Sequence, residues 1–277
     1  MNDKPAYPAT HSDPDQPLRS VLQPNGVLYL TLSRARQRNC LSEAVLDALQ
    51  TALETAEADP ACRVIVLGAE GPAFCAGHDL KELTAARTRG DGGRAYFADI
   101  MSRCARMMQT IVHHRVPVIA AVQGIATAAG CQLVASCDLA VASTAARFAT
   151  PGVHIGLFCS TPMVALSRNI SRKHAMEMLL TGDWVAAERA AAIGLINQAV
   201  APEALDGSVQ ALADTIASKS SMTLKTGKQA FYRQLEMGLA EAYAYTADVM
   251  VENMLKADAE EGINAFVEKR QPHWRDA

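Results

Sequence analysis

The segment Pro117–Asp138, PVIAAVQGIATAAGCQLVASCD, constrains the fold of this chain more than any other. It begins with small and β-branched apolar residues, Val118–Val122, a run that is typical of a strand buried on both faces. The run ends at Gln123-Gly124, and after a short turn an apolar helix begins near Ala129 and extends to about Ser136. A buried strand followed directly by a helix is the unit of an α/β protein, so we predict that fold class.

The same pattern occurs earlier in the chain. Arg63–Leu67 predicts a second buried strand, and a glycine-containing turn, Ala76-Gly77-His78, precedes a helix that begins near Asp79. The first amides of a helix have no partner within it and carry partial positive charge. The turns at Ala76–His78 and Ala129-Gly130 could therefore each direct one N–H at the same oxygen, as in an oxyanion hole. Sequence spacing leaves open whether the turns meet or are only tight connections in the core.

The remaining pattern predicts further strands and helices, followed by helices alone from about residue 203. The predicted strands cover residues 26–33, 138–142, 147–150 and 198–200. The first predicted helix begins after Ser42, which is predicted to cap it. Further helices are predicted over residues 96–113, 161–169, 173–181 and 185–193.

Charge and composition exclude several classes of function. The chain is 49% hydrophobic and carries a formal net charge of -3, with no concentrated basic patch. We therefore predict binding neither to nucleic acid nor to a membrane surface. No segment approaches the roughly 18 unbroken apolar residues of a membrane helix.

The cysteines and the N-terminal segment bear on location. Seven cysteines occur without a CxxC pair or zinc-type spacing, so we predict no metal site and reduced thiols in a reducing compartment. The N-terminal segment is rich in proline and aspartate and resembles neither a secretory signal nor a mitochondrial presequence. We accordingly expect a disordered tail over residues 1–20 and a cytoplasmic location.

Four motifs resemble the crotonase superfamily, also called the enoyl-CoA hydratase/isomerase family. They are AFCAGHDLKEL at Ala73–Leu83, AVQGIATAAGCQLVASCDLAVA at Ala121–Ala142, FATPGVHIGLF at Phe148–Phe158 and EGINAFVEKRQPHW at Glu261–Trp274. The resemblance implies an α/β fold, a crotonase-like spiral of ββα units over residues 21–205 that holds an acyl-CoA site. It further implies a C-terminal helical region over residues 206–277 that assembles a homotrimer or a dimer of trimers.

The resemblance also implies a ligand and its contacts. The ligand is a coenzyme A thioester, with no prosthetic group, and its carbonyl oxygen is held by the amides of His78 and Ala129. The residues implied to contact coenzyme A are Arg36, Cys40, Ala76, His78, Asp79 and Leu80, with Phe266 and Lys269 reaching it from a neighbouring subunit. Alternatively, Arg36 is a solvated loop cation and Lys269 an exposed helix lysine.

Two positions depart from the family pattern. Where family hydratases carry the two glutamates that place and activate water, this sequence has Gln132 and Gly152. A glutamine orients water but does not take its proton at neutral pH, and a glycine does neither. General acid–base groups contribute about 10²–10⁴-fold each, so hydratase activity is expected to be weak or absent unless another group substitutes.

Few residues are available as substitutes. His154 follows the second position by two residues and would share its side on an extended segment, although a structural histidine is the alternative. Ser160 falls where some relatives carry an aspartate, but it could equally cap the next helix. Glu82 could face the pocket or the solvent, and Cys159 could act as a nucleophile only with a basic partner.

Three functions therefore stay open. The first is an enoyl-CoA hydratase-like enzyme, a lyase of fatty acid and acyl-CoA metabolism. The second is thioester chemistry that needs only a stabilised enolate, such as decarboxylation of a malonyl-type CoA. The third is acyl-CoA binding without catalysis.

Overall fold

The computed structural model describes residues 16–277, and there the chain forms ten strands and eleven α-helices. The strands are β1 Leu18–Leu22, β2 Val27–Leu32, β3 Val64–Ala69, β4 Ala73–Cys75, β5 Val118–Val122, β6 Ile125–Thr127, β7 Leu139–Ser143, β8 Arg147–Ala149, β9 Val185–Ala186 and β10 Gln198–Val200. The helices are α1 Glu43–Ala58, α2 Leu80–Ala86, α3 Arg94–His113, α4 Ala129–Ser136, α5 Pro162–Asn169, α6 Arg172–Thr181, α7 Ala187–Ala192, α8 Leu205–Ala217, α9 Ser221–Gln234, α10 Leu239–Met254 and α11 Ala257–Val267. The predicted α/β class is confirmed, and the longer predicted elements occur within a few residues of their expected bounds.

Two sheets organise the chain. The larger sheet has the order β1-β2-β3-β5-β7-β10 and is parallel except for the antiparallel edge pair of β1 and β2. The smaller sheet has the order β4-β6-β8-β9, with β4, β6 and β8 parallel. Strands β4 and β6 are not predicted from the sequence because three residues are too few to show a two-residue period. They matter most for function, since parallel neighbours end at the same edge and bring the turns that follow them together.

Both faces of the larger sheet are covered. Most of the core lies on the face that packs against α1, α3 and α4. On the other face, Val27 and Tyr29 of β2 pack with Leu205 and Val209 of α8. Helix α8 therefore packs on the sheet, although the predicted boundary after residue 205 assigns it to the C-terminal helical region; that division of the chain stays a prediction.

The structure describes only the last residues of the predicted N-terminal tail. Residues 1–15 lie outside the described part of the chain. Leu18–Leu22 pairs along its whole length with β2, and the Leu18 side chain is buried in the core. The predicted tail to residue 20 is therefore too long, since residues 18–20 belong to a strand. No helix between residues 16 and 277 is long and apolar enough to cross a membrane.

Candidate active site

The turns after β4 and β6 touch each other. Gly77 has φ +89°, and a Cβ atom placed on it would lie 3.1 Å from Ala128 Cβ and 3.4 Å from Ala129 N. A Cβ atom on Gly130 would lie 2.1 Å from the carbonyl oxygen of Cys75, the last residue of β4. Glycine is thus required at both positions, because any side chain would drive the two turns apart.

The contact brings the turn that contains the His78 amide next to the Ala129 amide. In residues 16–277, neither the His78 nor the Ala129 N–H donates to another protein group. The pairing of Leu41 with this turn uses the Gly77 carbonyl instead, at 2.7 Å. Ala129 is the first residue of α4, so its N–H has no acceptor within the helix. Two free donors at a helix start can hold an oxygen that carries negative charge.

Ala128 has an unusual backbone conformation. Its φ is 50° and its ψ is -119°, a region that non-glycine residues rarely adopt. The Ala128 N–H donates to the Ala149 carbonyl at 2.9 Å, which ties this turn to the end of β8. Such backbone conformations cost about 1–3 kcal/mol and occur mostly at functional sites. The strained residue directs the amide of Ala129 away from the strand ladder.

Three side chains around this turn hold buried polar atoms without a partner in the described part of the chain. They are both ring nitrogens of His78, Oε1 of Gln132 and Oγ1 of Thr150. Gln132 lies one turn into α4, where its N–H donates to Ala128 O at 3.0 Å, and Thr150 follows Ala149 at the end of β8. An unpaired buried polar group costs about 1–3 kcal/mol, so their clustering points to a ligand or water at this place.

Thr150 is a site residue that the sequence reasoning misses. It is fully buried, and it lies at the carboxyl end of β8, beside β6. A hydroxyl at the last position of a predicted strand was the available signal. The predicted strand over residues 147–150 includes Thr150, which made it look like part of the sheet.

The three unpaired side chains are uncharged at neutral pH. Burial lowers the pKa of His78, against a smaller opposing effect of the Leu41 backbone, so the ring is neutral. Gln132 and Thr150 do not ionise in this range. The candidate site therefore offers neutral hydrogen-bonding groups beside the two amides.

The second departure from the family pattern, Gly152, lies in a 3₁₀ helix, Pro151–Ile155. A Cβ atom on Gly152 would lie 2.7 Å from the Leu157 carbonyl oxygen and 2.9 Å from Cys159 Sγ. The Leu157 N–H donates to Gly152 O at 2.9 Å, which holds the loop in place. The space in which a side chain at 152 would begin is thus filled by the loop 157–159.

Two predicted substitutes are placed differently from expectation. Because the segment is a 3₁₀ helix and not extended, residues 152 and 154 do not share a side. The His154 ring instead packs on Gly182, where an added Cβ would lie 2.7 Å from Nε2. Ser160 is exposed, and within residues 16–277 its hydroxyl donates to the Phe158 carbonyl alone, at 3.3 Å. Helix α5 begins after Thr161 without a side-chain cap. Neither interpretation of Ser160, as catalyst or as cap, gains support.

Glu82 has a structural role. Its Oε2 accepts from the Glu43 N–H at 3.0 Å and from the Tyr96 hydroxyl at 3.3 Å. These bonds satisfy an amide at the start of α1 and join α1 to α2 and α3. The carboxylate that could have served as a base is therefore already paired.

Several residues predicted to contact coenzyme A lie near the first turn. Cys40 Sγ donates to Asp79 Oδ2 at 3.3 Å, and burial followed by this bond raises the pKa of Cys40 to about 12. Burial raises the pKa of Asp79, but hydrogen bonds from the Lys81 amide and the Cys40 thiol outweigh it, and the net shift is downward. Asp79 also caps α2.

The other residues predicted to contact coenzyme A differ in whether their groups are already hydrogen-bonded or are exposed to a ligand. The Ala76 N–H is already used, by the Arg38 carbonyl at 3.1 Å. Arg36 lies in the 3₁₀ helix Ala35–Gln37, and both it and Leu80 are exposed. In the C-terminal region, Phe266 exposes 85% of its surface and Lys269 is exposed beyond the end of α11. Their roles stay predictions.

A groove on the surface lies apart from the candidate site. A groove of about 450 Å³ lies between α1 and α3, lined by residues such as Gln50, Glu54 and His113, and contains none of the predicted site residues. No group of three or more His, Cys, Asp or Glu side chains in residues 16–277 is arranged to hold a metal ion. The unpaired polar atoms, not the groove, mark the candidate site.

The fold and the motifs are those of the enoyl-CoA hydratase/isomerase family, and the model of that family matches residues 23–277, so the chain belongs to this family. Among its members, the chain is 47% identical to mouse "Enoyl-CoA hydratase domain-containing protein 3, mitochondrial" over 95% of this chain and 86% of the relative. The predicted resemblance to the crotonase superfamily is confirmed. The chain is also 33% identical to "Enoyl-CoA hydratase, mitochondrial" of Pongo abelii, over 91% and 84% of the two chains.

Solved structures agree with this assignment. The crystal structure of an enoyl-CoA hydratase of Mycobacterium smegmatis matches with a TM-score of 0.89 and 49% identity, covering 93% of this chain and 98% of that one. Human enoyl-CoA hydratase domain-containing protein 3 matches with a TM-score of 0.88 and 46% identity, covering 93% and 100%. The predicted crotonase-like fold is confirmed.

The prediction of a cytoplasmic location is wrong. The domain-containing protein 3 relatives of mouse, rat, Xenopus laevis and human are all named as mitochondrial. Reduced buried cysteines do not distinguish between reducing compartments, which is why they misled the prediction.

Proposed function

We propose that this protein binds an acyl-CoA thioester and polarises its carbonyl group between the amides of His78 and Ala129. The observation that carries the proposal is the contact of Gly77 with Ala128 and Ala129, because Ala129 and His78, which follows Gly77, both have N–H groups without an acceptor in the described part of the chain. A carbonyl oxygen at that point gains charge when the thioester becomes an enolate. Loss of one such donor lowers rates by about 10²–10³-fold in other enzymes.

Residues near the first turn are proposed to bind coenzyme A. The exposed Arg36 guanidinium would meet a phosphate, and the edge formed by Cys40, Ala76, Asp79 and Leu80 would contact the rest of the molecule. Phe266 and Lys269 would reach the ligand of a neighbouring subunit. The enoyl-CoA hydratase relatives support an acyl-CoA ligand in fatty acid and acyl-CoA metabolism.

Hydration of an enoyl thioester is proposed to be slow. Gln132 and Gly152 carry no carboxylate, and the loop 157–159 leaves no room for a side chain at Gly152. The candidates His154 and Glu82 pack elsewhere. Without a group to take a proton from water, two factors of about 10²–10⁴ are missing.

A second candidate function is decarboxylation of a malonyl-type CoA. The unpaired and uncharged Thr150 hydroxyl favours it, because it can donate a hydrogen bond to a substrate carboxylate without giving it a counter-charge. A desolvated carboxylate is destabilised, and its loss as CO₂ leaves an enolate for the two amides. No protein base is needed for that step.

A panel of thioesters separates these possibilities. Crotonyl-CoA, methylmalonyl-CoA and acetoacetyl-CoA are each incubated with the protein and followed by mass spectrometry and by binding calorimetry. Binding of acetoacetyl-CoA supports the proposed site, addition of water supports a hydratase, and loss of CO₂ supports a decarboxylase. Absence of binding by all three contradicts the proposal, whereas binding without product leaves an acyl-CoA binding protein.

The role of the Ala129 amide is tested directly by Ala129→Pro. Proline removes this N–H and is tolerated at the first position of a helix, and Ala129→Val is the control that adds volume but keeps the N–H. A hydrogen bond to a charged group contributes about 1.5–3 kcal/mol, so we expect acetoacetyl-CoA to bind about 10–100-fold more weakly to the proline variant. Equal affinity of the proline and valine variants would contradict the assignment.

Association of subunits is also proposed, as a homotrimer or a dimer of trimers. Helix α10 buries none of its residues within one chain, and Leu239, Tyr243 and Met250 expose 78%, 71% and 62% of their surfaces. Apolar side chains exposed in this number favour a partner surface. Analytical ultracentrifugation tests the proposal, and a monomer at micromolar concentration would contradict it.

A further inference from the structure

The thiol of Cys159 is packed against the backbone of Gly152. Its Sγ atom lies 2.9 Å from where a Gly152 Cβ would be, and the residue is 7% exposed. The Cys159 carbonyl accepts the Met163 N–H at 3.0 Å, which fixes the residue at the start of α5. The thiol thus stands in the space that a side chain at 152 would otherwise enter.

Two buried side chains with unpaired polar atoms lie on the elements next to this thiol. Thr150 precedes Gly152 by two residues and is fully buried with an unpaired Oγ1, and Gln132 is 4% exposed with an unpaired Oε1. Cys131, the neighbour of Gln132 on α4, is close enough to Cys159 for the two thiols to interact electrostatically. The thiol therefore lies beside the 3₁₀ helix that follows Thr150 and near the first turn of α4, which carries Gln132.

We propose that Cys159 is a site at which α,β-unsaturated acyl-CoA thioesters add covalently to the protein. The inference rests on the proposed function, because the two amides must hold the thioester carbonyl. Hydration adds water to the β carbon, and position 152 is one of the two at which family hydratases place this water. Because Cys159 Sγ stands where a side chain at 152 would begin, the β carbon of a bound enoyl group would come within reach of this thiol.

The step is an addition without oxidant or reductant. A bond forms between Cys159 Sγ and the β carbon, and the π bond between the α and β carbons breaks. Its electron pair moves to the thioester oxygen, where the His78 and Ala129 amides stabilise the enolate. The proton of the thiol is then transferred to the α carbon. The product is a thioether that retains coenzyme A.

The environment of the thiol sets the rate of this step. Burial raises the pKa of Cys159, and the Gly152 backbone lowers it in part. The thiolate is the nucleophile, so the addition is slow at neutral pH and becomes faster as the pH rises. Cys62 provides a matched comparison, since it is also a buried thiol but lies between α1 and the start of β3, outside the proposed site.

The test uses the full chain and crotonyl-CoA as the probe, at neutral pH and at about pH 9. Intact mass spectrometry under denaturing conditions measures the adduct, and peptide mapping locates it. Butyryl-CoA, which lacks the double bond, is the control ligand, and Cys159→Ala and Cys62→Ala are the variants. Acetoacetyl-CoA binding by calorimetry is measured for every protein, so that loss of the site is distinguished from loss of the thiol.

We expect a mass increase of one crotonyl-CoA per chain, located at Cys159 and faster at the higher pH. It should be absent with butyryl-CoA and in Cys159→Ala, retained in Cys62→Ala and suppressed by excess acetoacetyl-CoA. Binding of acetoacetyl-CoA without an adduct would overturn this inference alone, and absence of binding would overturn the proposed function with it. An increase of the acyl group only, or labelling spread over several cysteines, would also overturn the inference.

Discussion

The ammonium group of Lys228 lies 2.7 Å from Oδ2 of Asp138, and this buried pair joins α9 to the start of two central strands. Lys228 also donates to the Ile111 carbonyl at 3.0 Å. Asp138 in turn accepts from the Val118 N–H at 2.7 Å and from the Tyr232 hydroxyl at 2.9 Å. The pair therefore fixes the helical region relative to β5, the strand that leads towards the second turn.

Removal of either partner should destabilise the protein strongly. Lys228→Met leaves a buried carboxylate without its cation, and Asp138→Asn leaves a buried ammonium, each at about 3–5 kcal/mol of unfolding free energy. Urea unfolding measures both, and the double variant should lose less than the sum, since no unpaired charge is left. Strictly additive losses would show that the two groups do not interact.

Gly130 should tolerate no side chain. Gly130→Ala places a Cβ atom 2.1 Å from the Cys75 carbonyl, and backbone must move, so we expect a loss of about 1–3 kcal/mol or more. Gly227→Ala is the matched control, because Gly227 lies within α9 with nothing within 4 Å of the added Cβ. That variant should gain about 0.5–1 kcal/mol. Equal effects of the two substitutions in thermal or urea unfolding would contradict the contact between the turns.

Gln132→Glu should restore part of a hydratase. The substitution returns a carboxylate to the position where the family carries one, and we expect crotonyl-CoA hydration to rise by about 10²-fold or more. Gln132→Leu is the control without a proton acceptor, and its rate of crotonyl-CoA hydration should not rise. The rate is followed by loss of the conjugated thioester absorbance, and a rise in the leucine variant would refute the explanation.

Gly152→Glu should not restore activity in the same way. Its side chain would begin 2.7 Å from the Leu157 carbonyl and 2.9 Å from Cys159 Sγ. Cys159→Gly relieves only the second contact, so Gly152→Glu should lower the unfolding free energy in either background. Hydration by Gly152→Glu with unchanged stability would show that the loop 157–159 opens readily.

The stability of the protein should fall as the pH drops below 6.5, the ordinary pKa of histidine. Burial lowers the pKa of His114, although the Leu53 carbonyl opposes this, so the folded protein keeps the ring neutral while the unfolded chain takes up a proton. His114 Nδ1 accepts the Val116 N–H at 3.2 Å, a bond that protonation removes. The stabilisation is therefore complete above 6.5 and is lost towards lower pH.

Urea unfolding of the wild type and of His114→Gln, at about pH 7.5 and pH 5.5, measures this dependence. The variant should be less stable at the higher pH and should change less between the two. An equal change in both proteins would assign the pH dependence to other groups, of which the similarly shifted His78 is the first to test.

Much of the fold could be read from local patterns. The cap at Ser42 accepts the Val45 N–H at 3.3 Å as the sequence predicts, and the buried run Val118–Val122 is a central strand. These features depend on a few neighbouring residues, and their periods are long enough to be recognised. The three-residue strands β4 and β6 were missed because a strand that short carries no period and exists only through its partner.

The candidate site likewise combines features that can be read from local sequence with features that depend on the fold. The sequence by itself determined that two glycine turns begin helices and that both glutamate positions are lost, since these follow from residue identity. Only the tertiary structure decided that the turns meet, that Thr150 joins them, that His154 turns away and that Cys159 fills the space at Gly152. Those outcomes depend on strand pairing and on the course of a loop between residues far apart in sequence, and no local pattern encodes a distance across the fold.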